Sequence, residues 1–246
     1  MKKPSLNRIP QIRKQLSKGF TLMETVIAIG VLAVLLTGFI AVFTPAAQGI
    51  RRSISSQQAD RLATTLESEL VTLRDGQQNN SAKTGFEKAF DWIDKADGAS
   101  DAIFVYQYRG KGSRTSPADG TLKPLDAIEG QPGKDYTIQS MARRASDPLF
   151  REDLKAIEGA IFYVRPTQLV YKTNEMVPGT IGTIADPKDG MVVTAAASYK
   201  DAVIAFSAEF YSVPSKAENY ITGTEFKKRF DTAKRPVFSR NLAVRR

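Results

Sequence analysis

The segment that decides the fold is Lys18-Gly19-Phe20-Thr21-Leu22-Met23-Glu24, which is followed by an apolar run over residues 25–44. That run is 20 residues long and carries no charge. At about 1.5 Å per helical residue it can cross the roughly 30 Å hydrocarbon core of a bilayer. Glu24 stands at its head, where a carboxylate costs about 2.5 kcal/mol or more. We therefore expect Glu24 to have a partner or a task.

A basic leader precedes this segment. It contains six cations and no acidic residue, namely Lys2, Lys3, Arg8, Arg13, Lys14 and Lys18. The whole chain has a formal net charge of +9, and removal of the leader leaves +3. Since positive residues stay on the cytoplasmic side of a membrane segment, the leader is predicted to be cytoplasmic and the carboxy-terminal domain to lie across the membrane.

Gly19-Phe20-Thr21-Leu22-Met23-Glu24 resembles the processing motif of type IV pilins and of type II secretion pseudopilins. The resemblance implies that a prepilin peptidase cuts between Gly19 and Phe20, and that the new terminal Phe20 is N-methylated. It also implies that Glu24 assists assembly by pairing with the terminal amine of a neighbouring subunit. The implied partners are the peptidase, other subunits of a helical fibre and an inner-membrane assembly platform.

The resemblance places the precursor in a bacterial inner membrane as a single-pass protein with its domain in the periplasm, and later in a pseudopilus or pilus. Two plainer interpretations stay open. One is a conventional signal peptide cut near Thr44-Pro45-Ala46, and the other is an uncleaved single-span anchor. Neither of them explains Glu24.

The pattern divides the chain into four parts: the leader 1–19, a transmembrane helix 20–44, its amphipathic continuation 45–75, and a globular domain 76–246. Pro45 is predicted to bend the helix, and Asp75-Gly76 to end it near Arg74. The continuation carries an apolar stripe that should pack on the domain's own sheet, or else form a coiled-coil seam. The stripe consists of Ile50, Ile54, Leu62, Leu66, Leu70 and Leu73.

In the globular domain a short helix is predicted over residues 86–96, with an aromatic face that belongs to the core. Strands are expected at 102–109, 136–141 and 203–213. Residues 110–133 are predicted to be a loop, and 149–157 a short helix. Strands 160–165 and 168–173 should form a hairpin around Pro166-Thr167. These elements indicate an α+β fold, with an antiparallel sheet packed on the soluble half of the long helix.

Composition restricts the chemistry. The chain has no cysteine and no histidine, which rules out a Ser-His-Asp triad, a cysteine nucleophile and the usual zinc sites within it. The sequence thus favours assembly over catalysis. The loop at 186–190 offers Asp186 and Asp189 as oxygen ligands for calcium, although a plain turn is the favoured interpretation.

The last 20 residues are strongly basic, with eight cations against Asp231. A solvated or subunit-contacting tail is the favoured interpretation. The alternative is a minor pilin that binds DNA for uptake through this tail.

Overall fold

The computed structural model describes residues 19–74, 82, 84–116, 119–126, 130–233 and 235–246. The chain divides into two compact units, with the boundary after Ile50. The first unit contains the apolar part of the long helix. The second contains the rest of that helix and the globular domain.

Helix α1 runs from Leu22 to Val71 without interruption and continues through Pro45. It ends three residues earlier than Arg74, so the predicted end was wrong, and Asp75-Gly76 lies outside the described residues. In the first unit, the large apolar side chains of α1 from Leu22 to Phe43 are exposed.

The prediction of a buried apolar stripe on α1 is confirmed for Leu62, Leu66 and Leu70. Leu62, Leu66 and Leu70 are buried, and each contributes about 1.5–3 kcal/mol relative to an exposed side chain. Ala59 and Ala63 complete the buried face. The prediction was wrong for the ends of the stripe, because Ile50, Ile54 and Leu73 are exposed.

Helix α2 spans Gly85–Asp94. It begins at Thr84, whose hydroxyl oxygen accepts a hydrogen bond from the Glu87 N–H, as an N-cap does. Phe86, Phe90 and Ile93 are buried against α1 and the sheet, which confirms that the aromatic face is core.

In the described part of the chain, seven strands form the sheet, and all of their pairings are antiparallel. Five of them follow the order β2-β1-β4-β6-β7, while β3 pairs with β1 and β5 pairs with β4. The strands are β1 (Ile103–Thr115), β2 (Leu122–Pro124), β3 (Thr137–Arg144), β4 (Ile157–Lys172), β5 (Glu175–Pro178), β6 (Val203–Ser212) and β7 (Phe238–Arg245).

The predicted loop at 110–133 was partly wrong. Strand β1 continues to Thr115, and β2 lies within the same range. Gly110 pairs with both Thr137 of β3 and Pro124 of β2. A glycine is needed there because a Cβ atom would meet the Leu122 side chain.

The predicted hairpin around Pro166-Thr167 was also wrong, since β4 is one continuous strand. In the described chain, the pairing of β4 with β1 ends at Val164, and its pairing with β5 begins at Leu169. Pro166 lies between these two paired segments. One side of β4 is unpaired there, and a proline is tolerated at such a position. A hairpin does exist, but its turn is at Thr173-Asn174 and it joins β4 to β5.

Helices cover both faces of the sheet. Helices α1 and α2 cover one face, around Val105, Phe162 and Phe206. The other face is covered by α3 (Pro148–Leu154) and α5 (Thr224–Thr232), around Phe104 and Tyr163. Helix α4 (Glu218–Ile221) leads into α5.

The basic carboxy-terminal segment is not a solvated tail. It forms most of α5 and the edge strand β7, and its Phe230 is buried together with Phe226, which lies one turn earlier in α5. This apolar pair at helical spacing anchors the segment to the second face of the sheet.

Candidate functional site

The start of α1 carries the predicted processing and assembly residues. Gly19 and Phe20 are exposed and lie before the first residue of the helix, and Phe20 is 89% exposed. Glu24 lies in the first turn of α1, where a carboxylate is favoured by the helix dipole. The three residues thus lie within six positions of one another at an accessible helix terminus.

Thr21 and Glu24 form a capping box. The Thr21 N–H and hydroxyl donate to Glu24 Oε2 at 2.9 and 3.0 Å, and the Glu24 N–H donates to Thr21 Oγ1 at 3.2 Å. This reciprocal arrangement satisfies donors that a helix start leaves free. The sequence pattern Thr-x-x-Glu before an apolar run predicts such a box, although Thr21 was not among the predicted site residues.

The apolar part of α1 is the one helix in the described residues that is long and apolar enough to cross a membrane. None of its most apolar window is buried within the chain. Exposed apolar surface of this extent needs lipid or other protein around it. Among the described residues, no atom outside the helix's own nearby backbone lies within 4 Å of the position that a Cβ would take at Gly30 or Gly38.

The opposite end of α1 is fixed by a buried lysine that the sequence did not reveal. The Lys88 ammonium donates to the carbonyls of Glu69 and Thr72, both at 2.7 Å, and to Glu69 Oε1 at 3.0 Å. It also lies 4.9 Å from the centroid of the Trp92 ring. Burial lowers the pKa of Lys88, whereas the Glu69 carboxylate opposes that shift. Arg74 also pairs with the Glu69 carboxylate, and its Nη2 lies 2.8 Å from Glu69 Oε2.

A second buried ionic cluster ties the loop before β2 to α3. Arg143 contacts Asp119 at 2.7 Å, Asp153 at 2.8 Å and Asp147 at 3.2 Å. The Tyr106 hydroxyl donates to Asp153 at 2.6 Å. Burial raises the pKa of Asp153 to about 6, although Arg143 acts against it. Because these charged groups pair with one another inside the domain, we interpret the cluster as a structural feature that stabilises the fold.

The two candidate calcium ligands lie in one loop and share a lysine. Lys200 Nζ is 2.8 Å from Asp189 Oδ2 and 3.6 Å from Asp186 Oδ2. Each aspartate also accepts from backbone, Asp186 from the Lys188 N–H and Asp189 from the Met191 N–H. Among the described residues there is no group of three or more acidic side chains suited to a metal ion. Calcium here stays a prediction, and it would have to displace the Lys200 ammonium.

Several cations of the carboxy-terminal segment are engaged within the domain. Arg246 donates to the carbonyls of Ala196 and Tyr199 and lies over the Phe86 ring. Arg240 is 3.7 Å from Asp60 of α1. DNA binding through this segment stays a prediction that would depend on the remaining exposed cations.

Comparison with known proteins adds one finding at the start of α1. A family model described as the prokaryotic N-terminal methylation motif matches residues 14–40. The chain carries this methylation motif. The match supports a type IV pilin-like or pseudopilin family, and it covers the segment that contains Gly19, Phe20 and Glu24. Comparisons of the chain with curated proteins and with solved structures gave no match.

The α+β architecture agrees with that family. A long amino-terminal helix packs through its second half on a seven-stranded antiparallel sheet. The motif and the long apolar helix together are consistent with a membrane-anchored precursor.

Proposed function

We propose that this chain is a pilin-like subunit, cut by a prepilin peptidase and polymerised through α1 into a type II secretion pseudopilus or a type IV pilus. The observation that carries the proposal is the methylation motif at residues 14–40, which overlaps the apolar half of α1, where the large apolar side chains are exposed. The function is assembly, not catalysis.

Processing is proposed between Gly19 and Phe20, with N-methylation of Phe20. Both residues precede the first helical residue, Leu22, and both are exposed. Exposed backbone outside a helix is where proteases cut most readily, which supports cleavage at this position. The basic leader would stay in the cytoplasm and the domain would face the periplasm of a bacterial inner membrane.

Assembly is proposed to transfer the apolar half of α1 from lipid to a bundle of neighbouring α1 helices. Glu24 would pair there with the Phe20 amine of another subunit, because two opposite charges in an apolar bundle offset each other's desolvation cost. In the free chain the Glu24 carboxylate accepts from Thr21. Pairing between subunits therefore requires the carboxylate to exchange or share those donors.

The amino terminus of the protein from its native membrane tests the processing. We expect a chain that starts at N-methylated Phe20. An intact Met1 start in a host with active prepilin peptidase would indicate a simple anchor, and a start near Ala47 would indicate an ordinary exported domain. Either result would overturn the proposal.

Two substitutions at Glu24 test the assembly mechanism. Glu24→Gln keeps an acceptor for the capping box but removes the charge, whereas Glu24→Ala removes both. We expect both variants to be cut at Gly19 and to enter fibres at least tenfold less than wild type, measured as the assembled fraction by sedimentation. Normal entry of Glu24→Gln into fibres would contradict the charge pairing and leave only a capping role.

A further inference from the structure

The sheet face that α3 and α5 cover contains a pocket of about 410 Å³. This volume falls within the range of about 300–1,000 Å³ that small-molecule sites occupy. Four apolar side chains line it and are themselves buried, so they form its floor, namely Phe150 and Leu154 of α3, Ile221 of α4 and Phe226 of α5. We call this the α3–α5 pocket.

The floor of the pocket is held in place by the sheet behind it. The Phe150 ring stacks on the ring of Phe104 in β1, with centroids 4.6 Å apart, and the Phe226 ring is tilted against the same ring at 5.1 Å. Phe104 is buried. The apolar floor is therefore part of the folded core, and a ligand is not needed to form it.

The rim of the pocket is polar and cationic. Arg151 and Lys227 are its charged lining residues, and no acidic residue lines it. Lys227 is exposed and makes no ion pair within the described chain. Arg151 lies 4.0 Å from Glu218, and both side chains are exposed, so this pair contributes little. The two rim cations are thus available to an anion from outside the chain.

Floor and rim together select the chemistry of a ligand. The floor favours an apolar body, because a polar group placed there would lose its hydrogen bonds to water. The rim favours a negative charge at the mouth of the pocket, where it keeps part of its hydration. A neutral apolar molecule would leave the cations unused, and a small inorganic anion would leave the floor uncovered. An anionic amphiphile complements both parts.

We propose that the α3–α5 pocket binds a free single-chain carboxylate amphiphile of the fatty-acid class. Its chain would lie on the apolar floor, and its carboxylate would lie between Arg151 and Lys227. The lining residues all come from Ala99 onward, so the site is built entirely by the globular domain. It goes beyond the assembly function proposed above and does not rest on it.

Protection of an introduced cysteine tests the site, since the chain has no native cysteine. Full-length Thr222→Cys, an exposed position at the rim, is reconstituted in nanodiscs of neutral phosphatidylcholine and alkylated with a maleimide. We expect decanoate to slow the alkylation by about fivefold or more. Asn241→Cys, exposed on β7 and not part of the pocket, is the matched control and should change by less than about twofold. Equal effects on the two cysteines, or none on Thr222→Cys, would overturn the proposal.

Two further compounds separate the apolar and ionic parts of recognition. Decanol has the same chain without the charge, and acetate has the same charge without the chain. Each should need about tenfold or more of the decanoate concentration for half protection of Thr222→Cys. Equal protection by decanol would indicate an apolar cavity without anion recognition. Equal protection by acetate would indicate only a surface contact of an anion, and either result contradicts the proposal.

Substitution of the rim cations tests their role. With Thr222→Cys present, Arg151→Gln and Lys227→Gln together should raise the decanoate concentration for half protection by about tenfold, with each rate normalised to that variant without ligand. Protection by decanol should stay the same, which shows that the pocket is intact. Lys228→Gln, exposed on the same helix but outside the pocket, is the matched control. Unchanged protection by decanoate in the double variant would overturn the ionic contact.

The membrane and other proteins are distinguished as alternative occupants. Nanodiscs that contain anionic phosphatidylglycerol are compared with the neutral ones in the absence of decanoate. Protection of Thr222→Cys by the anionic discs alone would assign the pocket to lipid headgroups and contradict a free amphiphile. Slow alkylation of Thr222→Cys in neutral discs, with Asn241→Cys fully reactive, would mean that protein already covers the pocket, which also contradicts the proposal.

Discussion

At the scale of single residues, Lys88 is a buried cation that links two helices of the second unit. Its ammonium is buried and serves two carbonyls at the end of α1 and the Glu69 carboxylate. Cations near a helix carboxy terminus satisfy the last free carbonyls and interact favourably with the helix dipole. The residue thus joins α2 to the end of the long helix.

We expect Lys88→Met to lower the free energy of unfolding by about 3 kcal/mol, because it leaves a buried carboxylate and two carbonyls without this donor. The measurement is equilibrium unfolding of the full chain in detergent, followed by fluorescence of the single tryptophan, Trp92. Lys95→Met is the matched control. Lys95 is 53% exposed in an ion pair with Asp91, so its loss should cost less than about 1 kcal/mol. Equal effects of the two variants would contradict the role of Lys88.

Residue patterns predicted the start of the candidate site but not its buried charges. Gly19, Phe20 and Glu24 follow from one motif with local spacing, and Thr21 could have been added from the same pattern. Nothing local in the sequence marks Lys88 and Arg143 as core residues, since lysine and arginine are rarely fully buried. Their burial depends on carboxylates or carbonyls 19 and 24 residues away in sequence, and no local pattern reports such pairing.

At the scale of elements, the sequence predicted the long helix and the strongly alternating strands, but it misplaced the hairpin. Pro166 indicated a turn, yet the strand continues where one of its sides is unpaired. The true turn, Thr173-Asn174, lacks the Asn-Gly or Asp-Gly signature of two-residue hairpins. Both residues nevertheless adopt positive φ, 49° and 68°, as a type I′ turn requires.

A substitution in the Thr173-Asn174 turn should stabilise the protein. A β-branched residue at positive φ is unfavourable, and asparagine tolerates this region better. We expect Thr173→Asn to raise the free energy of unfolding by about 1 kcal/mol, measured by the same fluorescence assay. Thr180→Asn, at an exposed position of negative φ, is the matched control and should have little effect. A destabilised Thr173→Asn variant would show that the threonine makes a contact that outweighs its backbone strain.

At the scale of the whole molecule, the sequence predicted a sheet packed on the soluble half of the long helix but not the second helical layer. The helices on that face, α3 and α5, are short and mostly polar in sequence. Their few apolar residues, such as Phe150, Phe226 and Phe230, are buried on β1 and β4 all the same. Short helices of this kind draw their stability from tertiary packing, which local patterns do not report.

Both core clusters of the second unit consist of residues from Ala59 onward, and the apolar half of α1 contributes none. A fragment of residues 51–246 should therefore fold without a membrane. We expect it to unfold cooperatively, with a denaturant midpoint within about 10% of that of the full chain by Trp92 fluorescence. A fragment of residues 75–246 is the matched control. It lacks Leu62, Leu66 and Leu70, so one face of the sheet would be uncovered and the fragment should aggregate or lose cooperativity. If the two fragments behaved alike, the second half of α1 would not be part of the core, and its apolar stripe would be available for subunit contacts along a fibre.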